Sequence, residues 1–353
     1  MSIQDLLRNV TATDLTVFAR QIPTPADYLL TGNGTNGIFP NTTISDVKWR
    51  IRDSGRYVNA AKYRAYDASV QFASRDAWQT AKEGSLPALG QKLLVGEQEQ
   101  LLLDAQRGAD DDRLIELLYD DTERHVEAIR ARLELAAGDI LVDGKFTLNE
   151  GGFVYEVDWQ VPAANMPTPA VLWSDPTSDP IKDELSWIQM LVDKGYPEPE
   201  MVLTSRKAWS YLASNNAYRA AYYGSVNPSN TPTASLNPSQ VNVVRGNYGL
   251  PPVTFYRAQV RVDGAYTKVI PDNRWIMLPP NRTSWAQTLY GVTAEALVLS
   301  RGTNPQITRE DAPGIVITAG TQDDPVQIWT KGAAVAMPVL QTPDAHVCAQ
   351  VIA

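Results

Sequence analysis

The sequence predicts an α+β protein, with helices and strands in separate stretches of the chain. Three observations carry this. From residue 43 to 72, apolar and charged side chains alternate with the period of a strand. Residues 97–138 place apolar side chains at spacings near three and four, as a helix does. From Thr288 to the end the chain is rich in strand-favouring runs.

Residues 1–40 open with two short helical pieces, near Ile3–Val10 and Thr13–Gln21, the second capped by Thr13 or Asp14. Pro23, Pro25 and a glycine-rich run from Thr31 to Gly37 follow. This segment is too polar and too punctuated to hold a core alone, and reads as an arm that must lie on another surface. Next, Val47, Trp49 and Ile51 alternate with Lys48, Arg50 and Arg52. Asp53-Ser54-Gly55 is a turn signal, and Tyr57, Val58, Tyr63, Tyr66, Val70 and Phe72 continue beyond it. The expectation is a long two-stranded ribbon, which is marginal by itself in water.

The helical stretch breaks at Gly108, and its main helix begins at Asp110-Asp111-Asp112, where acids cap free N–H groups and oppose the positive end of the dipole. Leu114, Leu118, Val126, Ile129, Leu133 and Ala137 form its apolar stripe, and Gly138 is expected to end it. At about 1.5 Å per residue it spans roughly 40 Å, enough for a strut. A hairpin of Phe146–Leu148 with Phe153–Trp159 follows, then a proline-punctuated connector over 162–180.

A second region starts at Pro180. It should hold an amphipathic helix, Asp183–Lys194, with Leu185, Ile188, Leu191 and Val192 inward. A short buried strand Met201–Thr204, a helix over Ser205–Ala213 capped by Ser205, and a flexible loop over 224–240 come next. Strands are expected near Val241–Val244, Val253–Arg261 and Trp275–Leu278, then at Thr288–Leu299, Ile315–Ala319, Val326–Ala336 and Val347–Ile352.

The chain has 353 residues, 44% hydrophobic and 20% charged, so it can bury a substantial core. Its formal net charge of −9 repels nucleic acid at long range. That argues against a nucleic-acid reader and suits the wall of a container that holds DNA. Cys348 is the single cysteine, which excludes an internal disulfide. The opening residues lack a basic region followed by an apolar core, so no secretory leader is expected, and no run of 18 apolar residues predicts a membrane span.

The catalytic inventory is thin. Gly32-Asn33-Gly34-Thr35-Asn36-Gly37 matches a dinucleotide-binding pattern letter for letter, but Ile38-Phe39-Pro40-Asn41 opens no helix to face a pyrophosphate. His125, four residues after Asp121, reads as a surface helix pair. His346 and Cys348 are two ligands without a third and fourth. Asp110–Asp112 and Asp323-Asp324 do not fit a calcium loop. No nucleophile has a base placed near it in sequence. Catalytic residues, metal and cofactor are therefore all predicted to be none.

The ribbon is the more informative feature. Lys48, Arg50, Arg52, Arg56, Lys62 and Arg64 concentrate positive charge in an acidic chain, and Trp49 and Tyr57 on the same element have no obvious cover of their own. Aromatics and arginines on an exposed element point to a buried interface. These eight residues are the candidate inter-subunit contacts.

The order of elements, and four short stretches, resemble the tailed-phage capsid proteins of the lambda-type major capsid protein E family. The stretches are Leu15-Thr16-Val17-Phe18-Ala19-Arg20 leading to Ile22-Pro23-Thr24; Gly138-Asp139-Ile140-Leu141-Val142-Asp143-Gly144-Lys145-Phe146-Thr147 with Val157-Asp158 beyond; Ser178-Asp179-Pro180 with Pro199 to Trp209; and Ile270-Pro271-Asp272-Asn273 with Tyr290-Gly291. The run Thr330 to Ala353 has the family's closing order of strand, proline and strand. The resemblance implies an N-arm over 1–42, an extended β-hairpin loop and its return over 43–96, and a peripheral domain over 97–179 with a spine helix over 110–137. An axial α/β domain over 180–290 and C-terminal strands over 291–353 returning to the peripheral domain complete it.

The resemblance further implies a non-enzymatic subunit that assembles with itself into pentamers and hexamers of an icosahedral shell. Its other implied partners are a portal, a scaffold or protease, a decoration protein, and packaged double-stranded DNA held without sequence-specific contacts. The implied location is the virion capsid, assembled in the bacterial host cytoplasm. An encapsulin-like compartment shares the fold, and a binding module or an enzyme with an unrecognised site are the readings from other classes.

Overall fold

The computed structural model describes residues 10–32, 37–54, 79–96, 110–150, 153–224, 234–301, 313–323 and 326–353. Helix α1, Ala12–Gln21, is capped by Thr11, not by Thr13 or Asp14. Asp14 supplies the reciprocal half of a capping box: its N–H donates to Thr11 Oγ1 at 3.2 Å, and its carboxylate accepts from the Thr11 N–H at 3.0 Å. The glycine-asparagine run leads into a strand, β1 (Asn41–Thr43), so no helix follows the dinucleotide-like pattern.

Strand β2 (Lys48–Ser54) pairs antiparallel with β3 (Gln79–Ser85), from Lys48 opposite Ser85 to Ser54 opposite Gln79. The expected turn at Asp53-Ser54-Gly55 is thus corrected. Both strands are still paired at Ser54, so Asp53 and Ser54 are strand residues; the expected continuation from Tyr57 to Phe72 lies outside the described residues. Strand β4 (Ala88–Val95), which the sequence hides, follows directly.

The strut, α2, covers Asp110–Asp143 and passes through Gly138 without stopping. Gly138 is there for space: a Cβ on it would lie 2.5 Å from the Val269 carbonyl oxygen. The helix ends at the hairpin β5 (Lys145–Glu150) and β6 (Phe153–Asp158). The apolar stripe of α2 packs on a sheet built around one long strand, Val326–Leu340 (β14). Leu118, Val126, Ile129 and Leu133 meet Leu15 and Ala19 of α1 and Ile317 and Ala334 of the sheet in a common core.

The second region holds α3 (Pro180–Asp193), β7 (Met201–Thr204), α4 (Arg206–Ser214), α5 (Asn216–Tyr223) and α6 (Pro238–Asn247). Val241–Val244 is therefore helical and not a strand. Pro at the first position and an Asn237–Gln240 capping box start that helix despite its valines. The inward face of α3 also differs from expectation. Leu185 and Val192 are exposed, while Ile181, Glu184, Trp187 and Leu191 are buried. Strand β8 (Val253–Phe255), the hairpin β9 (Gln259–Val262) and β10 (Ala265–Lys268), and β11 (Arg274–Leu278) follow.

After the helical turn α7 (Arg282–Trp285), the chain returns as β12 (Ala286–Tyr290), α8 (Ala294–Ser300), β13 (Val316–Asp323), β14 (Val326–Leu340) and β15 (Val347–Gln350). One part of β14 is flanked by β13 and β4; its final residues pair with β12, which pairs in parallel with β1. The closing strands do not all rejoin the strut. Strand β15 pairs with β11 in the second sheet, whose order is β15-β11-β7-β8. That sheet is buried on both faces. Trp275, Met277 and Val202 face the helices α3 to α6, while Ile276, Leu278 and Leu203 face the central core.

Candidate functional site

At the root of the ribbon, period two puts Trp49 on one face and Lys48 and Arg50 on the other. Trp49 is only 3% exposed. Its ring lies tilted by 39° against Trp159, 5.2 Å between centroids, beside Gly84, where a Cβ would come within 2.9 Å of the indole. Tyr155 Oη donates to the Ser85 carbonyl at 2.9 Å, so hairpin β5–β6 braces the ribbon. Trp49 therefore has cover in its own chain, which corrects its reading as an uncovered aromatic.

Lys48 and Arg50 are exposed. Arg50 Nε lies 3.9 Å from Glu83 on the paired strand, a solvent-facing ion pair of little energetic weight. Arg52 continues the same strand in register opposite Ala81. Arg56, Tyr57, Lys62 and Arg64 lie outside the described residues. Opposite in sign, the solvent face of α2 carries Glu116, Asp120, Glu123 and Glu127, all exposed and spaced four, three and four apart. That spacing makes one acidic ridge along the strut, with Arg124 beside it.

The leading arm does not wait for a neighbour. From Val10 onward its apolar residues Leu15, Ala19, Leu30 and Phe39 are buried in the chain's own cores. Several of its polar groups are satisfied there too. Thr16 Oγ1 accepts from the Ile317 N–H at 3.1 Å. The Glu134 carboxylate of α2, fully buried, accepts from the N–H groups of Leu30 and Thr31, from Thr31 Oγ1 and from Tyr256 Oη, at 2.9, 2.8, 2.6 and 2.6 Å. Burial, with the neighbouring Glu134 charge, pushes the Tyr256 phenol far up.

The second region has its own buried charge cluster. Arg245 Nη1 and Nη2 donate to the two Glu184 oxygens at 2.7 and 3.0 Å. Trp275 Nε1 donates to Glu184 at 3.1 Å, and Arg245 also donates to Tyr218 Oη and the Pro251 carbonyl. Burial alone would lower the Arg245 guanidinium; the Glu184 charge outweighs it and raises the group above its ordinary value.

One nucleophile–base arrangement exists that sequence order concealed. His125 Nε2 lies 3.1 Å from Thr330 Oγ1, which donates to Asp121 Oδ2 at 2.8 Å. All three side chains are buried between α2 and β14, which corrects the surface reading of His125 and closes the group to any substrate. Burial lowers the His125 imidazole and pushes the Cys348 thiol up to about 12. Among the described residues no cluster of metal-ligating side chains occurs.

An arm laid along a strut helix, a braced ribbon, a sheet under the strut and a second α/β region mounted beside it define the tailed-phage capsid fold. Comparisons agree. Over nearly its whole length the chain is similar to a prophage capsid protein from Escherichia coli CFT073, at 18% identity and a TM-score of 0.57, covering 99% of this chain and 96% of that one. It is also similar to a phage-related protein from Bordetella bronchiseptica RB50, at 13% identity and a TM-score of 0.52, with 95% of each chain covered. A search of curated protein sequences finds no match. The profile of the family described as Phage major capsid protein E matches residues 11–351. The chain belongs to that family, and it is a structural subunit of a phage capsid.

Proposed function

We propose that the subunit builds its shell by laying the basic ribbon of one copy, through Lys48, Arg50, Arg52, Arg56, Lys62 and Arg64, over the acidic ridge of an adjacent copy's strut. The observation that carries this is the opposition of charge between Lys48 and Arg50, exposed at the root of the ribbon, and the exposed acids along the strut. Basic residues on one strand face recur at about 6.6–6.8 Å. Acids on the helix ridge recur at about 4.5–6 Å along the axis. Complementary patterns of this kind fix orientation and register more than they add affinity. Trp49 belongs to the ribbon's root and takes no part in the contact.

Residues 1–42 act as the arm, 43–96 as the reaching loop with its return, 97–179 as the peripheral part, 180–290 as the axial part, and 291–353 as the strands that tie them together. Copies assemble into pentamers and hexamers in the host cytoplasm and enclose double-stranded DNA without reading it. A portal and a scaffold or protease take part in assembly, and a decoration protein binds the finished shell. The sealed His125–Thr330–Asp121 group supports a role without catalysis. The test is a chain carrying Arg50→Glu, Arg52→Glu and Arg56→Glu, which should fold as the parent does and form no shells under negative-stain microscopy. Normal shells from that variant would reject the ribbon contact.

A further inference from the structure

We propose that neighbouring copies also meet head to tail across the second region: the cleft between Arg206, Arg257 and Phe255 of one copy receives the acidic loop Asp175–Asp179 of the next. This inference rests on the shell-building reading above and names a second contact within it.

The cleft has a volume of about 330 Å³ and is lined by Ala26, Asp27, Leu29, Arg206, Phe255 and Arg257. It sits at the start of α4, where the first turn holds no acid. Arg206 and Lys207 occupy it instead, at the positive end of the helix dipole, where cations are unfavourable in an isolated copy. Arg206 is held in place, its guanidinium 5.0 Å above the Phe255 ring, which Trp209 braces edge-on at 5.7 Å. Arg257 shares Asp27 at 3.4 Å in an exposed pair. Two arginines thus face one carboxylate, in a chain whose formal net charge is −9. A site with this excess suits an anionic group backed by a short apolar wall.

The complementary feature lies at the other end of the same helix, about 13 Å away at 1.5 Å per residue. Asn215, just past α4, fastens the loop by donating from Nδ2 to the Ser178 carbonyl at 3.0 Å, and the Asn216 N–H donates to the Pro176 carbonyl at 3.0 Å. Asp175, Pro176, Thr177 and Asp179 are all exposed. Asp175 folds the loop through Thr177, and Asp179 caps α3, so the backbone that presents both carboxylates is fixed. Lys182 is the exposed cation on the adjoining first turn of α3. A concave basic site and a convex acidic one, at opposite ends of one helix, are complementary to each other and not to themselves. Such a contact is heterologous, and its repetition closes a ring when the rotation between copies divides a full turn. A nucleic-acid phosphate would also fit two arginines, but it would leave the acidic loop without a role.

The test uses the full chain under conditions where the parent forms shells. One variant carries Arg206→Glu with Arg257→Glu, a second carries Asp175→Lys with Asp179→Lys, and a third carries all four. Sedimentation velocity reads the assembled fraction, and circular dichroism checks folding. Each reversed pair should cut assembly by about tenfold or more, and the four together should restore most of it. Asp175→Asn with Asp179→Asn keeps the turn and the cap while removing charge, and should also lower assembly. Parental assembly by either reversed pair overturns the proposal, as does failure of a folded four-fold variant to recover. Normal shells from the arginine variant with less packaged DNA would assign the cleft to phosphate and overturn it too. A parent chain that never assembles would instead bring down the shell-building reading.

Discussion

Gly138 lies against the Val269 backbone, where an added Cβ would stand 2.5 Å from the carbonyl oxygen. In an exposed helix interior, Gly→Ala stabilises by about 1 kcal/mol. Here the sign should reverse. Gly138→Ala forces α2 and the segment at Val269 apart, and we expect a loss of about 1–3 kcal/mol, read as a lower urea midpoint of the unassembled chain. A midpoint above the parent's would show that the crossing of α2 over Val269 accommodates a methyl group.

Glu134 presents only acceptors to four donors. Glu134→Gln turns one oxygen into a donor and sets it against a donor, at an expected cost of about 1–3 kcal/mol. The arm should loosen first, so trypsin should cut at Arg20 faster in the variant before global stability falls. Equal cleavage rates would mean that apolar burial alone holds the arm.

Breaking the buried pair by Arg245→Met strands the Glu184 carboxylate and should cost about 3–5 kcal/mol. Adding Glu184→Leu to the same chain should recover much of that. The measurement is a double-mutant cycle by thermal unfolding, and additive losses would argue against a coupled pair.

Burial holds the His346 imidazole down to about 4 from the ordinary 6.5, against a smaller raising effect of the Pro343 carbonyl. Between those two values the unfolded chain binds a proton that the native one refuses. The stability tied to neutral His346 is therefore complete above pH 6.5, declines as pH falls through the window, and levels off below about pH 4. The gap corresponds to about 3 kcal/mol. His346→Phe should remove this part of the acid sensitivity, so parent and variant midpoints measured at pH 7 and pH 4.5 should converge or cross. Parallel pH dependence in both would exclude His346 as a source.

Sequence patterns revealed elements where the local signal and the tertiary environment agree. Ser205 caps its helix as expected, and Trp275–Leu278 is a strand. Other elements yielded to context. Strand β4, Ala-Leu-Gly-Gln-Lys-Leu-Leu-Val, has no alternation because its order comes from pairing with β14. The valines of α6 suggest a strand, yet the Asn237 cap and Pro238 decide the matter locally. The inward face of α3 is misread because Glu184, a charged residue, occupies the centre of its packing and its partner lies sixty-one residues away. The first strand of the ribbon is legible from the alternation of Trp49 and Ile51 with Lys48, Arg50 and Arg52. The buried state of Trp49 is not, because Trp159 and Tyr155 come to it only through the hairpin after the strut.

The hydroxyl of Thr16 and the backbone of Ile317 are separated by 301 residues in sequence, and Asn41 pairs with Thr288. A ribosome emits the arm long before it makes the strands that receive it. At about 5–20 residues per second, the nascent arm waits roughly 15–60 seconds for the backbone of Ile317, although the strut that covers Leu15 and Leu30 is made earlier. Native docking of this segment is thus a post-translational event, slow by the standards of local folding. The nascent chain is exposed to chaperone capture or premature aggregation before any shell can begin to grow.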